Sequence, residues 1–241
     1  VIVIPMAGQS LRFAEAGYTL PKYMLQLAGR TLFEHSVSSF RKYFQTERFL
    51  FIALGSGFDE ARFIIETAGR LGIDRMDTVV LDRPTRGQAE TVFLGLARAN
   101  IPDQPIAIFN IDTFRPGFSF PDHFYGEKID GYLETFIGSG ANWSNVVPAG
   151  NGGRVASTAE KQNLSKFCCT GLYYWASSGK FCDYFRETAT IPVQEIQGHE
   201  YYIAPMYNRL IADKGDVRFT VVDKNDVVFC GTPDEYEALL A

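Results

Sequence analysis

Over its first 110 residues the chain alternates short apolar runs with amphipathic stretches, and this order constrains the fold more than any other feature. Residues 1–5, VIVIP, have the pattern of a buried strand. Residues 31–44 read as a helix: Leu32, Val37, Phe40 and Phe44 recur near one face, and Thr31 with Glu34 makes a capping-box pattern. Residues 48–54 give a second strand. Ser56 is the expected cap of a second helix carrying Phe63, Ile64 and Leu71. A strand at 78–81, a helix at 87–99 and a strand at 105–109 complete the series. Such an order builds right-handed βαβ units, so the expected class is α/β with a mostly parallel sheet flanked by helices.

The second half follows a different rule. Residues 131–137, 143–147, 154–158 and 167–175 read as strands with no helix between them. Turns rich in Gly and Asn, at 138–142 and 150–153, separate three of them. Helices return at 179–188, 202–213 and 233–240. The expectation is one domain, 1–241, whose second half (116–241) inserts a β-rich subdomain onto a parallel first half (1–115). Hydrophobic residues make up 46% and charged residues 21%, enough apolar mass for a full core rather than a disordered chain.

Charge and cysteines narrow the setting. A net charge of −5 gives no general field for nucleic acid, which calls for a basic face. No apolar run approaches the roughly 20 residues that span a bilayer, so no membrane partner is expected. Cys168, Cys169, Cys182 and Cys230 form no CxxC pair, and Cys168-Cys169 sits in an apolar run where buried reduced thiols are expected. With no signal peptide in sight, the expected compartment is the cytoplasm. The chain opens on Val1, which leaves its native start open.

Ligands on parallel α/β sheets sit beyond the carboxyl ends of the strands, and the unusual residues cluster there. After the first strand comes Ala7-Gly8-Gln9-Ser10-Leu11-Arg12, then Pro21-Lys22. A small-residue loop there either cradles phosphates with backbone N–H groups, helped by Arg12 and Lys22, or is only a turn. It is neither a Walker loop nor a GxGxxG fingerprint. Gly87-Gln88 opens a helix, and Gln88 has a donor and an acceptor suited to a base edge; an ordinary helix start is the alternative. Asn110-Ile111-Asp112 follows the fourth strand. Asp112 is a hard oxygen ligand of the kind Mg²⁺ takes, or a turn cap. Glu160-Lys161 ends a strand in the second half and suits a phosphate and sugar hydroxyls, or is a solvated surface pair.

Taken in order, AGxxxRF, PK, RGQAE, NxD, EK, TGLYYW and GTPDEY, the chain resembles the sugar-phosphate nucleotidyltransferases, whose Rossmann-like fold is shared with GT-A glycosyltransferases. More narrowly it resembles a bacterial branch tied to capsule and surface-polysaccharide precursors. The resemblance covers nearly the whole chain and is most specific over residues 4–22. It implies transfer of a nucleoside monophosphate from a triphosphate, CTP or UTP, to a sugar 1-phosphate or similar small phosphorylated acceptor, with pyrophosphate released. It assigns Ala7, Gly8, Arg12, Gly87, Gln88 and Asn110 to the nucleotide and Glu160, Lys161 and Gly171 to the acceptor. Arg12, Lys22 and Asp112 become the catalytic set, and Asp112 holds Mg²⁺. An acceptor phosphate is already ionised near neutral pH, so no general base is needed. His35 and His123 are then helix and loop residues, and His199 draws notice only for its neighbour.

The chain departs from the family pattern in two places. Gln9-Ser10-Leu11 lacks an additional glycine. Phe229-Cys230 stands before the final Gly-Thr where many relatives carry a metal-binding aspartate. Glu200, read as opening a helix after a loop, is the expected second metal ligand; a favourable charge at a helix N-terminus is its other reading. Tyr201, Tyr202 and Asn208 are expected to pack or lie on a helix surface. Two other functions fit less well: a GT-A glycosyltransferase using a nucleotide-sugar donor, and a non-catalytic nucleotide-binding relative. The first would want a second carboxylate beside Asp112, and the second has no need of Arg12, Lys22 and Asp112 together. Acceptor identity, base and oligomeric state, a homo-oligomer included, stay open.

Overall fold

The run IVIPM forms a strand buried at every position (Ile2–Met6, β1), as a strand covered on both faces must be. The structure, a computed structural model, describes residues 1–122 and 128–241. His123 lies outside the described residues. After β1 come α1 (Leu11–Glu15), β2 (Gln26–Leu27), β3 (Arg30–Thr31), α2 (Leu32–Val37), β4 (Phe49–Leu54) and α3 (Glu60–Leu71). Next are β5 (Met76–Leu81), α4 (Gln88–Arg98), β6 (Ile106–Phe109), β7 (Thr113–Phe114), β8 (Gly131–Ile137) and β9 (Ser144–Pro148). The chain closes with β10 (Val155–Glu160), β11 (Phe167–Trp175), α5 (Ser178–Thr188), α6 (Tyr207–Ala212), β12 (Val217–Val222), β13 (Val228–Phe229) and α7 (Pro233–Leu240).

The fold is α/β. Strands β6, β1, β4 and β5 lie side by side and parallel, with β5 at the edge of the sheet. β11 pairs antiparallel with β6 and carries the second half onto the same sheet, with β9, β10, β8 and β12 beyond it. Helices cover both faces. One face buries Leu50, Val92, Leu96, Phe181 and Tyr207, and the other Phe33, Phe40, Phe51, Ile64 and Phe109. Each such side chain removed from water contributes about 1.5–3 kcal/mol.

Several sequence expectations are corrected. The helix read over 31–44 is α-helical only to Val37; beyond it the backbone tightens into a 3₁₀ segment, Ser38–Tyr43, broken at Phe40 (φ −97°, ψ 21°). Its start is as expected, since Thr31 and Glu34 exchange both capping-box bonds. Asp59 caps α3 by accepting from Arg62 N. Ser56 donates instead, from N and Oγ, to the carboxylate of Glu60. The helix read over 202–213 begins as α-helix only at Tyr207, after a 3₁₀ turn at Ala204–Met206 that contains Pro205. Glu200 opens no helix; its backbone is extended (φ −145°, ψ 152°). The reading of Glu200 as a helix N-terminal charge therefore falls. Strand β12, absent from the sequence reading, runs parallel to β8.

Candidate active site

The site is built from loops that leave adjacent strands. β1 and β6 are neighbours, so the loop after Met6 and the residues after Phe109 emerge side by side at the carboxyl edge. Ala7 is buried at the mouth of β1, and Gly8 is exposed with no atom within 4 Å of where a Cβ would stand. Ser10 turns the chain with φ 53° into α1, which carries exposed Arg12. Pro21 then leads into a 3₁₀ turn, Lys22–Met24, and its lysine points back to β6. Lys22 Nζ donates to Asp112 Oδ2 at 2.6 Å, with side chains 19% and 24% exposed. Burial pushes the Asp112 carboxyl up, but Lys22 and, further off, Arg12 outweigh it and hold it below the ordinary range. Sequence expectation put these three residues together; the structure pairs Lys22 with Asp112, and Arg12 stands exposed on α1.

Asp112 has the surroundings of a cation ligand. The Lys22 ammonium already stands as a cation on its Oδ2. Gly231 leaves room beside the same oxygen, where a Cβ would come within 3.2 Å. The backbone is pinned by Cys230 N donating to Asp112 O at 2.8 Å. Among the described residues no group of three or more His, Cys, Asp and Glu gathers to hold a metal by itself. A single carboxylate in this position suits a Mg²⁺ that would take most of its ligands from substrate phosphates and water.

Asn110 is tied to three neighbours. Its N donates to Gly171 O at 3.1 Å, its O accepts from Ser36 Oγ at 3.2 Å, and its side-chain oxygen accepts from Gln88 Nε2 at 2.6 Å. One amide hydrogen of Gln88 is thus committed to Asn110. Gly171, with φ 99°, is pressed against that amide: a Cβ there would stand 2.6 Å from Asn110 Nδ2. Gly171 acts on the Asn110–Gln88 pair, a connection its place in the sequence does not reveal. Gly87 caps α4, and the loop around it is tied to a distant segment, since Tyr201 N donates to Arg86 O and Ala89 N donates to Tyr201 O.

The second group lies at the end of β10. Glu160 is only 3% exposed and accepts from Ser144 Oγ, its cross-strand neighbour. Burial raises its carboxyl above the ordinary value, against the lowering by Ser144 and Lys161; Glu200 adds to the rise. Lys161 leaves the strand with φ 52° and places its Nζ 4.9 Å from the centre of the Tyr202 ring. The Tyr202 phenol is pushed up by burial and by Glu200 and Glu160, while Arg12 pulls it down. The charge of exposed Glu200 is felt at Glu160 and Tyr202.

Tyr201 is buried, and Asn208 exchanges two hydrogen bonds with the Thr158 backbone, so both pack as expected. His35 bonds Leu27 O, and His199 lies at 3.1 Å from Gln194 O. The four cysteines are free, and Cys168 and Cys169 are buried. Sequence reading missed Ser144, whose place beside Glu160 follows only from strand pairing. It also missed the ring of Tyr202 as a neighbour of Lys161.

No protein-family model and no curated protein matches the chain. Among solved structures, the nucleoside-diphosphate-sugar pyrophosphorylase from Vibrio cholerae RC9 is 47% identical, with a TM-score of 0.93 over 100% of this chain and 99% of that one. The inositol-1-phosphate CTP transferase from T. maritima shares the fold, with 15% identity and a TM-score of 0.70 over 99% of this chain and 94% of that one. A UDP-glucose pyrophosphorylase complexed with UDP-glucose does likewise, with 14% identity and a TM-score of 0.74 over 99% and 96%. No described helix is long and apolar enough to cross a membrane. Near-complete coverage at 47% identity settles the kinship: the chain belongs to the sugar-phosphate nucleotidyltransferase family.

Proposed function

We propose that the chain is a nucleotidyltransferase that moves a nucleoside monophosphate from CTP or UTP onto a sugar 1-phosphate or a similar small phosphorylated acceptor. An acceptor phosphate oxygen forms a bond to the α-phosphorus, the bond from that phosphorus to the bridging oxygen breaks, and pyrophosphate leaves with the electron pair. The observation that carries this reading is the Lys22–Asp112 pair, 2.6 Å apart at the mouth of β6, beside the Arg12 loop that leaves the neighbouring strand β1.

Each group has a physical task. Two polyanions must approach each other, so cations that neutralise them lower the barrier and hold the line of attack. Arg12 binds the triphosphate with its planar fork. Lys22 exchanges Asp112 for phosphate oxygens. The backbone at Ala7 and Gly8 lines the triphosphate, while Gly87, Gln88 and Asn110 hold the base. Asp112 would hold Mg²⁺, with Glu200 as a second ligand, and the ion would supply charge neutralisation on the phosphates. Glu160 accepts from acceptor hydroxyls, Lys161 meets the acceptor phosphate, and Gly171 keeps the neighbouring Asn110 in place. Residues 1–115 thus serve the nucleotide and 116–241 the acceptor. Four unpaired cysteines support a reducing cytoplasm as the setting. The resemblance to the capsule branch supports surface-polysaccharide precursors as the destination.

The test is pyrophosphate release with Mg²⁺, using CTP, UTP, dTTP, ATP and GTP in turn against sugar 1-phosphates and phosphocholine. Release that depends on one acceptor and one triphosphate names both substrates. Silence across the panel from folded, nucleotide-binding protein overturns the reading.

A further inference from the structure

Lys161 has an unusual conformation for a lysine. Its φ of 52° lies in the left-handed region, where a side chain crowds its own backbone. The turn takes the chain out of β10 and sets Nζ 4.9 Å from the centre of the Tyr202 ring. That distance is within the roughly 6 Å over which an aromatic face attracts a cation.

The segment that supplies Tyr202 is built around this stack. Gln197 Oε1 accepts from Glu160 N at 3.4 Å. Gly198, with φ 77°, packs onto the stack itself: a Cβ there would stand 2.9 Å from Tyr202 Cε2, 3.5 Å from Lys161 Cδ and 3.7 Å from Glu160 Cγ. Tyr201 then fixes the segment to the nucleotide side through its N to Arg86 O, 2.9 Å, and its O from Ala89 N, 2.8 Å. The platform beneath Lys161 is therefore fastened to the loop that carries Gln88.

We propose that Tyr202 is a positioning residue that holds the Lys161 ammonium at the seat of the acceptor phosphate, and that the Tyr201 clip sets this seat relative to the nucleotide. The proposal rests on the acceptor role given to Lys161 above. A free lysine spreads its charge over many rotamers, and fixing one costs up to about 2 kcal/mol of side-chain entropy. An aromatic face meets part of that cost before the substrate arrives. The ring, not the hydroxyl, does the holding, so the two parts of the tyrosine can be separated by substitution.

The experiment compares Tyr202→Leu, Tyr202→Phe, Lys161→Ala and the double variant Tyr202→Leu/Lys161→Ala. Pyrophosphate release is followed with CTP or UTP, with glucose 1-phosphate as the first probe acceptor and then the active acceptor of the panel. Tyr202→Leu is expected to raise the acceptor KM roughly tenfold with the triphosphate KM unchanged, and Tyr202→Phe to restore it. In the double variant the leucine adds nothing to the loss from Lys161→Ala. The wild-type Lys161 ε-methylene protons should show an upfield ring-current shift in NMR spectra that Lys161→Ala identifies and Tyr202→Phe keeps. An unchanged acceptor KM in Tyr202→Leu, equal rises in both KM values, or full additivity with Lys161→Ala overturns the proposal. If Tyr202→Leu does not fold, Tyr202→Met replaces it, and an absent ring-current shift in the wild type overturns the proposal on its own. A wild type with no acceptor-dependent release but an intact shift strikes the acceptor reading, not the stack.

Discussion

Lys22 Nζ sits 2.6 Å from Asp112 Oδ2, so the carboxylate offered to a metal is already covered by a cation of the protein's own. Metal and lysine compete for one oxygen. Lys22→Met is therefore expected to bind Mn²⁺ roughly tenfold more tightly in the absence of nucleotide, equivalent to about 1.4 kcal/mol. Its turnover should nonetheless fall on the order of 10²-fold, as when one fixed charge is removed from a reacting centre. Manganese titration by electron spin resonance, beside pyrophosphate release, reads both. Weaker manganese binding in the variant would show that Lys22 supports the metal site instead of masking it.

Gly171→Ala probes the Asn110–Gln88 pair and the base-binding role proposed for it. The added methyl would meet Asn110 Nδ2 at 2.6 Å, in a backbone with φ 99° that side chains resist. Asn110 must shift, and Gln88 with it, because the two side chains share a 2.6 Å hydrogen bond. The triphosphate KM should rise roughly tenfold, about 1.4 kcal/mol. An acceptor KM that rises alone would assign Gly171 to the acceptor directly.

These two sites differ in how far the sequence reveals them. Arg12, Lys22 and Asp112 were legible because each follows a strand end or closes its loop, and parallel topology brings strand ends together. The capping box of Thr31 and Glu34 was legible because it is local. The Ser144–Glu160 contact was not, since it depends on the register between β9 and β10. The break at Phe40 coincides with the packing of its ring on Phe109 and Phe118, which overrides helical periodicity, and α6 starts late because Pro205 holds the preceding turn. Strand β12 was missed although its VRFTVV is β-branched, because its partner β8 lies far back in sequence.

Stability should carry a pH signature from Glu134. Its carboxylate is buried, accepting from Arg115 Nε at 3.0 Å and Thr170 Oγ1 at 3.1 Å. Burial raises it above the ordinary carboxylate value despite Arg115. The folded state thus keeps a proton that the unfolded state has already released, and stability falls as pH rises through the window between the two values. One proton gives a slope of at most about 1.4 kcal/mol per pH unit. Glu160, raised in the same way, adds to this slope in both proteins, so denaturant titrations across that window should show a shallower fall of stability with pH in Glu134→Gln than in the wild type. Arg115→Ala strands the carboxylate and should cost about 3–5 kcal/mol when Glu134 is ionised.

The central claim is that an acceptor phosphate attacks the α-phosphorus. It is tested most directly by following UTP or CTP labelled separately at the α- and γ-phosphates through one turnover with the active acceptor. The α-label should appear in the acceptor, now linked to the nucleoside through a diphosphate, and the γ-label in pyrophosphate, and Asp112→Ala should abolish both. Release of the γ-label as inorganic phosphate, or transfer of sugar from a nucleotide-sugar with no pyrophosphate formed, would contradict it.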